Sequence, residues 1–262
     1  MPLDRPPLPN GDQIPPGGPG SVEALRQKAQ DLNARLRHHS ATDVLRHARD
    51  EIPRLALVSS FGADSVALLH LTAMVDRSVP VVFIDTQMLF AETLVYQQEL
   101  AERLGLRDLR ILRAEDMESH DPDGTLHRTN PDLCCQLRKT APLDKALTEF
   151  DGWITGRKRF QSGRRAALEF FEVETPDGAA PRIKVNPLAY WSAQDVADYI
   201  AENRLPRHPL VAQGYPSIGC APCTSPVAPG EDPRAGRWRD SDKDECGIHF
   251  IGGKMVRQKE QT

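Results

Sequence analysis

The hydrophobic pattern divides the chain into short segments of two kinds. From Ser21, apolar residues recur at helical spacing (Val22, Leu25, Leu32, Leu36), and Ser-Ala-Thr-Asp at Ser40 marks a second helix start. Short apolar runs then alternate with helical stretches. RLALVSS (54–60), VPVVFID (79–85), LRILRA (109–114), DGWITG (151–156) and RIKVNPL (182–188) read as strands. DSVALLHLTAMV (64–75), AETLVYQQELAERLG (91–105) and SAQDVADYIAENRL (192–205) read as helices, and ALEFFEVETPDGAAP (167–181) has the form of a hairpin. Strands alternating with helices predict an α/β fold, a mainly parallel twisted sheet flanked by helices. Residues 1–20 are dense in proline and glycine and are expected to be disordered; 21–239 form the α/β domain; 240–262 are an irregular, mobile tail.

Composition narrows the class. The 262-residue chain is 39% hydrophobic and 27% charged, ordinary for a globular protein, with a net charge of -4. That balance argues against a broad nucleic-acid surface but leaves room for a small anion in a local basic pocket. No apolar run reaches the roughly 18 residues of a membrane span, and the start of the chain lacks the features of a secretory signal. A cytoplasmic, reducing location is therefore expected, where paired cysteines bind metal or do redox work more often than they form structural disulfides.

In an open parallel sheet, ligands bind beyond the carboxyl ends of the strands. Two polar loops fall there, SSFGADS (59–65) and DTQMLF (85–90). The first ends in a helix start, with Asp64 or Ser65 as the candidate cap, and Gly62 is expected to permit the turn. It is neither a Gly-Lys-Ser/Thr P-loop nor a dinucleotide fingerprint. It resembles the Ser-Gly-Gly-x-Asp-Ser loop of the adenine nucleotide alpha-hydrolase superfamily, with Phe61 in place of the first glycine. A bulky residue there is expected to crowd a triphosphate and favour a smaller anion. After the fourth strand, TGRKRFQSGRR (155–165) gathers Arg157, Lys158, Arg159, Arg164 and Arg165 at the same edge. Its functional reading is an anion site, against the bland one of a solvated charged face.

Four of the five cysteines come in two close pairs, Cys134–Cys135 and Cys220–Cys223. A thioredoxin-like dithiol is the first rival for GCAPC, but that motif opens a helix, and here the proline-rich TSPVAPGEDP follows. Adjacent cysteines on a helix begun near Asn130 and Pro131 diverge by about 100°. A tetrahedral zinc with bonds of about 2.3 Å tolerates this less well than a cubane does. The all-thiolate set therefore favours a 4Fe-4S cluster, with zinc as the alternative. Cys246 is left over, between acids and a histidine.

Taken together, SSFGADS, DTQMLF, CCQLRK, GRKRFQSGRR, GYPSIGCAPC and ECGIH resemble the assimilatory sulfonucleotide reductases, most of all their cluster-containing adenylyl-sulfate (APS) reductase branch. The match runs from about Leu55 to Phe250. The resemblance implies that Cys134, Cys135, Cys220 and Cys223 ligate one 4Fe-4S cluster and that Cys246 is the nucleophile. It implies reduction of APS to sulfite and AMP through an S-sulfocysteine, in sulfate assimilation. No thioredoxin-like domain is read in the chain, so the donor is expected to be a separate reduced thioredoxin or glutaredoxin-like protein. Assembly as a homo-oligomer is left open.

Other site residues follow from the same resemblance. Ser60, Gly62 and Ser65 would line the phosphosulfate loop, and Asp85 and Thr86 would lie near the adenosine. Lys139 would sit between cluster and substrate, and Arg159, Arg164, Arg234 and Arg237 would neutralise sulfate and phosphate. Asp244 and Glu245 disfavour a Cys246 thiolate, so its activation is expected from the basic pocket, with His249 as a weaker helper. The stretch after Trp238 departs from the more aromatic run of the resembled group. The alternatives are a reductase of the 3'-phosphorylated substrate (PAPS) or of both nucleotides, an ATP pyrophosphatase, and a zinc-stabilised nucleotide-binding module.

Overall fold

The structure, a computed structural model, describes residues 20–161 and 165–239. Two helices come first, α1 (Val22–Leu36) and α2 (Ala41–Glu51), each begun by a serine whose side chain accepts a first-turn N–H. The alternating region follows as β1 (Leu55–Ser59), α3 (Ser65–Val75), β2 (Val81–Ile84), α4 (Ala91–Leu104) and β3 (Leu109–Leu112). Short turns α5 (Met117–His120) and α6 (Leu126–Thr129) lead to α7 (Pro131–Cys135), a π-helical turn (Gln136–Thr140) and α8 (Ala141–Leu147). The chain returns to the sheet as β4 (Gly152–Ile154), β5 (Phe171–Glu174) and β6 (Arg182–Val185), then adds α9 (Ala193–Glu202), entered through a Ser192–Asp195 capping box.

The sheet order is β3-β2-β1-β4-β6-β5, parallel except for the antiparallel β5–β6 hairpin at one edge. This is the predicted architecture. Burial drives it: β2 is buried along its whole length, and α3 is apolar nearly all round because it is enclosed. One core contains Leu57, Leu69, Val81, Phe83 and Ile154; a smaller one on the other face contains Ala56, Val82, Leu143, Leu147 and Trp153. The chain runs outward from β1 through β2 to β3, then comes back to β4 on the other side of β1. The loops after β1 and β4 therefore separate there and open a crevice at the switch point.

The expected disordered and mobile segments fall almost wholly outside the described residues, and so do Arg164, Cys246 and His249. Among the described residues, no helix is long and apolar enough to cross a membrane.

Candidate functional site

The crevice holds a cavity of about 480 Å³ lined from the loops after β1, β2 and β4, the π-helical turn and the segment 216–238. Ser60, Gly62, Ser65, Thr86, Lys139, Arg234 and Arg237 all line it. Among the described residues, six cations line it (Lys139, Arg157, Lys158, Arg165, Arg234, Arg237) against two carboxylates (Asp64, Asp232), although the chain as a whole is acidic. The site is built for an anion.

Several expectations are corrected. Arg159 does not line the cavity. Its guanidinium lies 3.9 Å from the Tyr190 ring centre and pairs with Glu169 at 2.9 Å, because the backbone after Lys158 turns to meet Ala189. Arg157 and Lys158 take the inward places. Arg157 is bound by Glu172, Asn186 and Thr155, and Lys158 donates to Asp64 at 3.0 Å. Asp85 is buried beneath the cavity wall, where its carboxylate accepts from the Gln87 N–H and from Arg113, shaping the loop after β2. The turn at the first loop depends on Phe61, at φ 48°, and Gly62 is absent from the left-handed residues. A Cβ at Gly62 would lie 3.4 Å from the Ile218 carbonyl oxygen, an ordinary contact, so the local backbone does not demand glycine there. The Phe61 ring is fully buried, edge-on to Phe83 at 5.3 Å, so its bulk does not crowd the cavity. Finally, Asp64 precedes α3 but its side chain does not cap it.

Of the four paired cysteines Cys220 lines this cavity, and Cys134 and Cys135 directly precede the π-helical turn whose Lys139 lines it. Asn130 caps α7 and Pro131 occupies its first turn, which places Cys134 in a buried position and Cys135 in a half-buried one. The π-helical turn that follows carries Arg138 and Lys139. Cys220 and Cys223 lie on an irregular segment held by bonds to neighbouring loops. Ala221 N–H donates to the Met88 carbonyl at 2.7 Å, and Trp238 N–H donates to the Cys223 carbonyl at 3.1 Å. Thr86 joins the two sides: its hydroxyl stands 3.2 Å from the Cys220 sulfur, and its carbonyl accepts from Arg138. Next to Cys220, the Arg237 guanidinium lies over Gly219, where a Cβ would press on the end of that side chain.

Burial, with neighbouring thiols adding to it, pushes the Cys134 thiol up to about 11 and Cys223 to about 12. Those two thiols stay protonated at neutral pH, and a bound cationic centre is the ordinary means of ionising them. Among the described residues no three Cys, His, Asp or Glu side chains stand close enough to hold a metal ion. The four thiols do influence one another electrostatically across the two segments.

Arg138 carries a role that the sequence reading did not single out. It is buried, pairs with Asp121 at 2.9 Å, and reaches Thr86. The signal was its position four residues after Cys134, on the same helical face. Arg157 and Lys158 were visible only as members of a run.

The open sheet and its switch-point crevice define an adenine nucleotide alpha-hydrolase-like protein. Residues 54–226 match the phosphoadenosine phosphosulfate reductase domain, and the chain belongs to that family. It is 45% identical over 234 residues to an adenosine 5'-phosphosulfate reductase of Mesorhizobium japonicum, covering 88% of this chain and 90% of the relative. It is 47% identical over 231 residues to the protein of that name from a Chelativorans species, covering 86% and 92%. Among solved structures it resembles phosphoadenylyl-sulfate (PAPS) reductase from Candida auris, crystallised as a phosphate complex. The TM-score is 0.67 at 30% identity, with 77% of this chain and 97% of that one covered.

Proposed function

We propose that this protein reduces adenosine 5'-phosphosulfate to sulfite and AMP, with electrons from a thioredoxin-type dithiol donor. The observation that carries the reading is the cationic crevice at the switch point of a chain whose 45–47% identical relatives bear that activity in their names. In the proposed reaction the Cys246 thiolate attacks the sulfur of the substrate. The sulfur–oxygen bond to the phosphate breaks, AMP departs, and the enzyme is left as an S-sulfocysteine. A donor thiolate then attacks the Cys246 sulfur and expels sulfite. The donor's second thiol resolves the mixed disulfide, so the two electrons come from the donor dithiol.

The chain's own residues bind and orient. Ser60, Gly62 and Ser65 offer the loop and the head of α3 to the phosphosulfate, while Lys139, Arg234 and Arg237 supply charge around it. Arg164 and His249 are proposed as further contacts. Cys134, Cys135, Cys220 and Cys223 are proposed to hold one 4Fe-4S cluster, which when bound supplies a polarising centre beside the crevice.

The experiment is sulfite release from APS with reduced thioredoxin, by wild type and by Cys246→Ser. The variant is expected to lose activity while retaining AMP binding and iron, because a serine hydroxyl is a far weaker nucleophile. Wild type given APS without donor is expected to gain one sulfo group on Cys246, seen by intact mass. Substantial turnover by the serine variant overturns the mechanism. The same assay with PAPS tests the second reading, which the Candida auris likeness motivates; a preference for PAPS overturns the assignment to APS.

A further inference from the structure

We infer that Lys158 is a positioning residue that draws the Asp64 carboxylate off the anion site at the head of α3; the inference rests on the nucleotide reading of the crevice. Both residues line the cavity, one from the loop after β1 and one from the loop after β4. They meet at 3.0 Å across it, although they are 94 positions apart in the chain.

Two features make the pair more than a surface ion pair. The Lys158 side chain is 3% exposed, so its ammonium requires a counter-charge, whereas the Asp64 side chain is 43% exposed and could point elsewhere. Asp64 also stands immediately before an 11-residue helix, where aspartate ordinarily accepts first-turn N–H bonds, yet it makes none. A carboxylate left there would oppose an incoming phosphate and compete for the same N–H groups and dipole end. Lys158 neutralises it and holds it to the far wall. The lysine therefore favours substrate by restraining a like charge, without needing to touch the substrate itself.

This differs from a direct phosphate contact in a measurable way. The experiment is calorimetric binding of AMP, and of uncharged adenosine, to full-length wild type, Asp64→Asn, Lys158→Met and the double variant. Lys158→Met is expected to weaken AMP about tenfold and leave adenosine unchanged; Asp64→Asn is expected to bind AMP at least as tightly as wild type. The double variant is expected to recover to within about threefold of wild type, a clear departure from additivity. A double variant as weak as Lys158→Met shows that the lysine contacts the anion directly and overturns the inference. So does an equal loss of adenosine affinity, which marks a merely structural role, or weaker AMP binding by Asp64→Asn. Wild type that binds neither ligand overturns the nucleotide reading itself, whereas wild-type binding of AMP with additive variants overturns this inference alone.

Discussion

The two cysteine pairs are held in place by opposite means. Cys134 and Cys135 sit on a capped helix whose own backbone bonds fix them, and a π-helical turn directly after them redirects the chain toward the crevice. Cys220 and Cys223 have no long element beneath them. Their position comes from outside: the Met88 carbonyl, the Thr86 hydroxyl and the Arg237 guanidinium over Gly219. Upstream, His208 ties the same strap to α4 through Thr93. A helix sets the spacing of its side chains locally, whereas an irregular strap has to be placed by tertiary contacts. The helical side should therefore tolerate loss of a neighbour better than the strap, except where a buried charge is involved.

The largest expected effect comes from removing a thiol on either side. Cys135→Ser and Cys220→Ser are each expected to lose iron and sulfite formation together, because a cubane that lacks one of four thiolates is poorly held. Iron content and visible absorbance of anaerobically purified protein read the first loss directly. The circular dichroism of both variants should stay near wild type, as the sheet does not depend on either sulfur. Unchanged iron in either variant would show that the ligand set is wrong.

Next in size is Arg138→Leu, which tests the exception on the helical side. Asp121 is nearly inaccessible and its carboxylate is held by Arg138 and by the Leu126 N–H. Removing the arginine takes the charged partner from the Asp121 carboxylate and leaves it only the backbone N–H groups of Leu126 and Thr125, so stability is expected to fall. Chemical denaturation should show that loss. Adding Asp121→Asn should return much of it, since the penalty lies in the stranded charge. An unchanged unfolding midpoint would mean that water replaces the guanidinium there.

The strands, their alternation with helices and the loops that carry the site were legible in the sequence because each rests on local pattern. VVFI can only be a buried strand, and Asn130-Pro131 can hardly be read except as a helix start. What failed was direction. Arg157, Lys158 and Arg159 are consecutive cations on irregular backbone, with no periodicity to say which two face inward and which one stacks on Tyr190. Phe61 looked like an obstacle because a glycine pattern suggests empty space. The position demands a left-handed backbone instead, and the ring is accommodated by the core. Asp64 looked like a cap because nothing local announces a lysine 94 residues away.

The smallest effect concerns the strap and is set by pH. His208 is 1% exposed; its Nδ1 accepts from the Leu210 N–H, which leaves Nε2 to carry the proton it donates to the Thr93 hydroxyl at 3.0 Å. Burial holds the imidazole down to about 4, while Glu92 pulls weakly the other way. The unfolded chain takes up this proton below about pH 6.5, and the folded chain does so only near 4. The contribution of neutral His208 to stability is therefore complete above about pH 6.5 and is lost as pH falls toward 4. Other acids titrate in the same range, so the comparison is between wild type and His208→Gln, whose amide can accept and donate in similar places without titrating. Unfolding free energy measured at pH 7 and pH 4.5 should fall more steeply for wild type than for the variant. Parallel curves would mean that His208 does not hold the strap in its neutral form. A steeper fall in wild type accompanied by earlier loss of iron would instead tie the strap's anchor to the cysteines it carries.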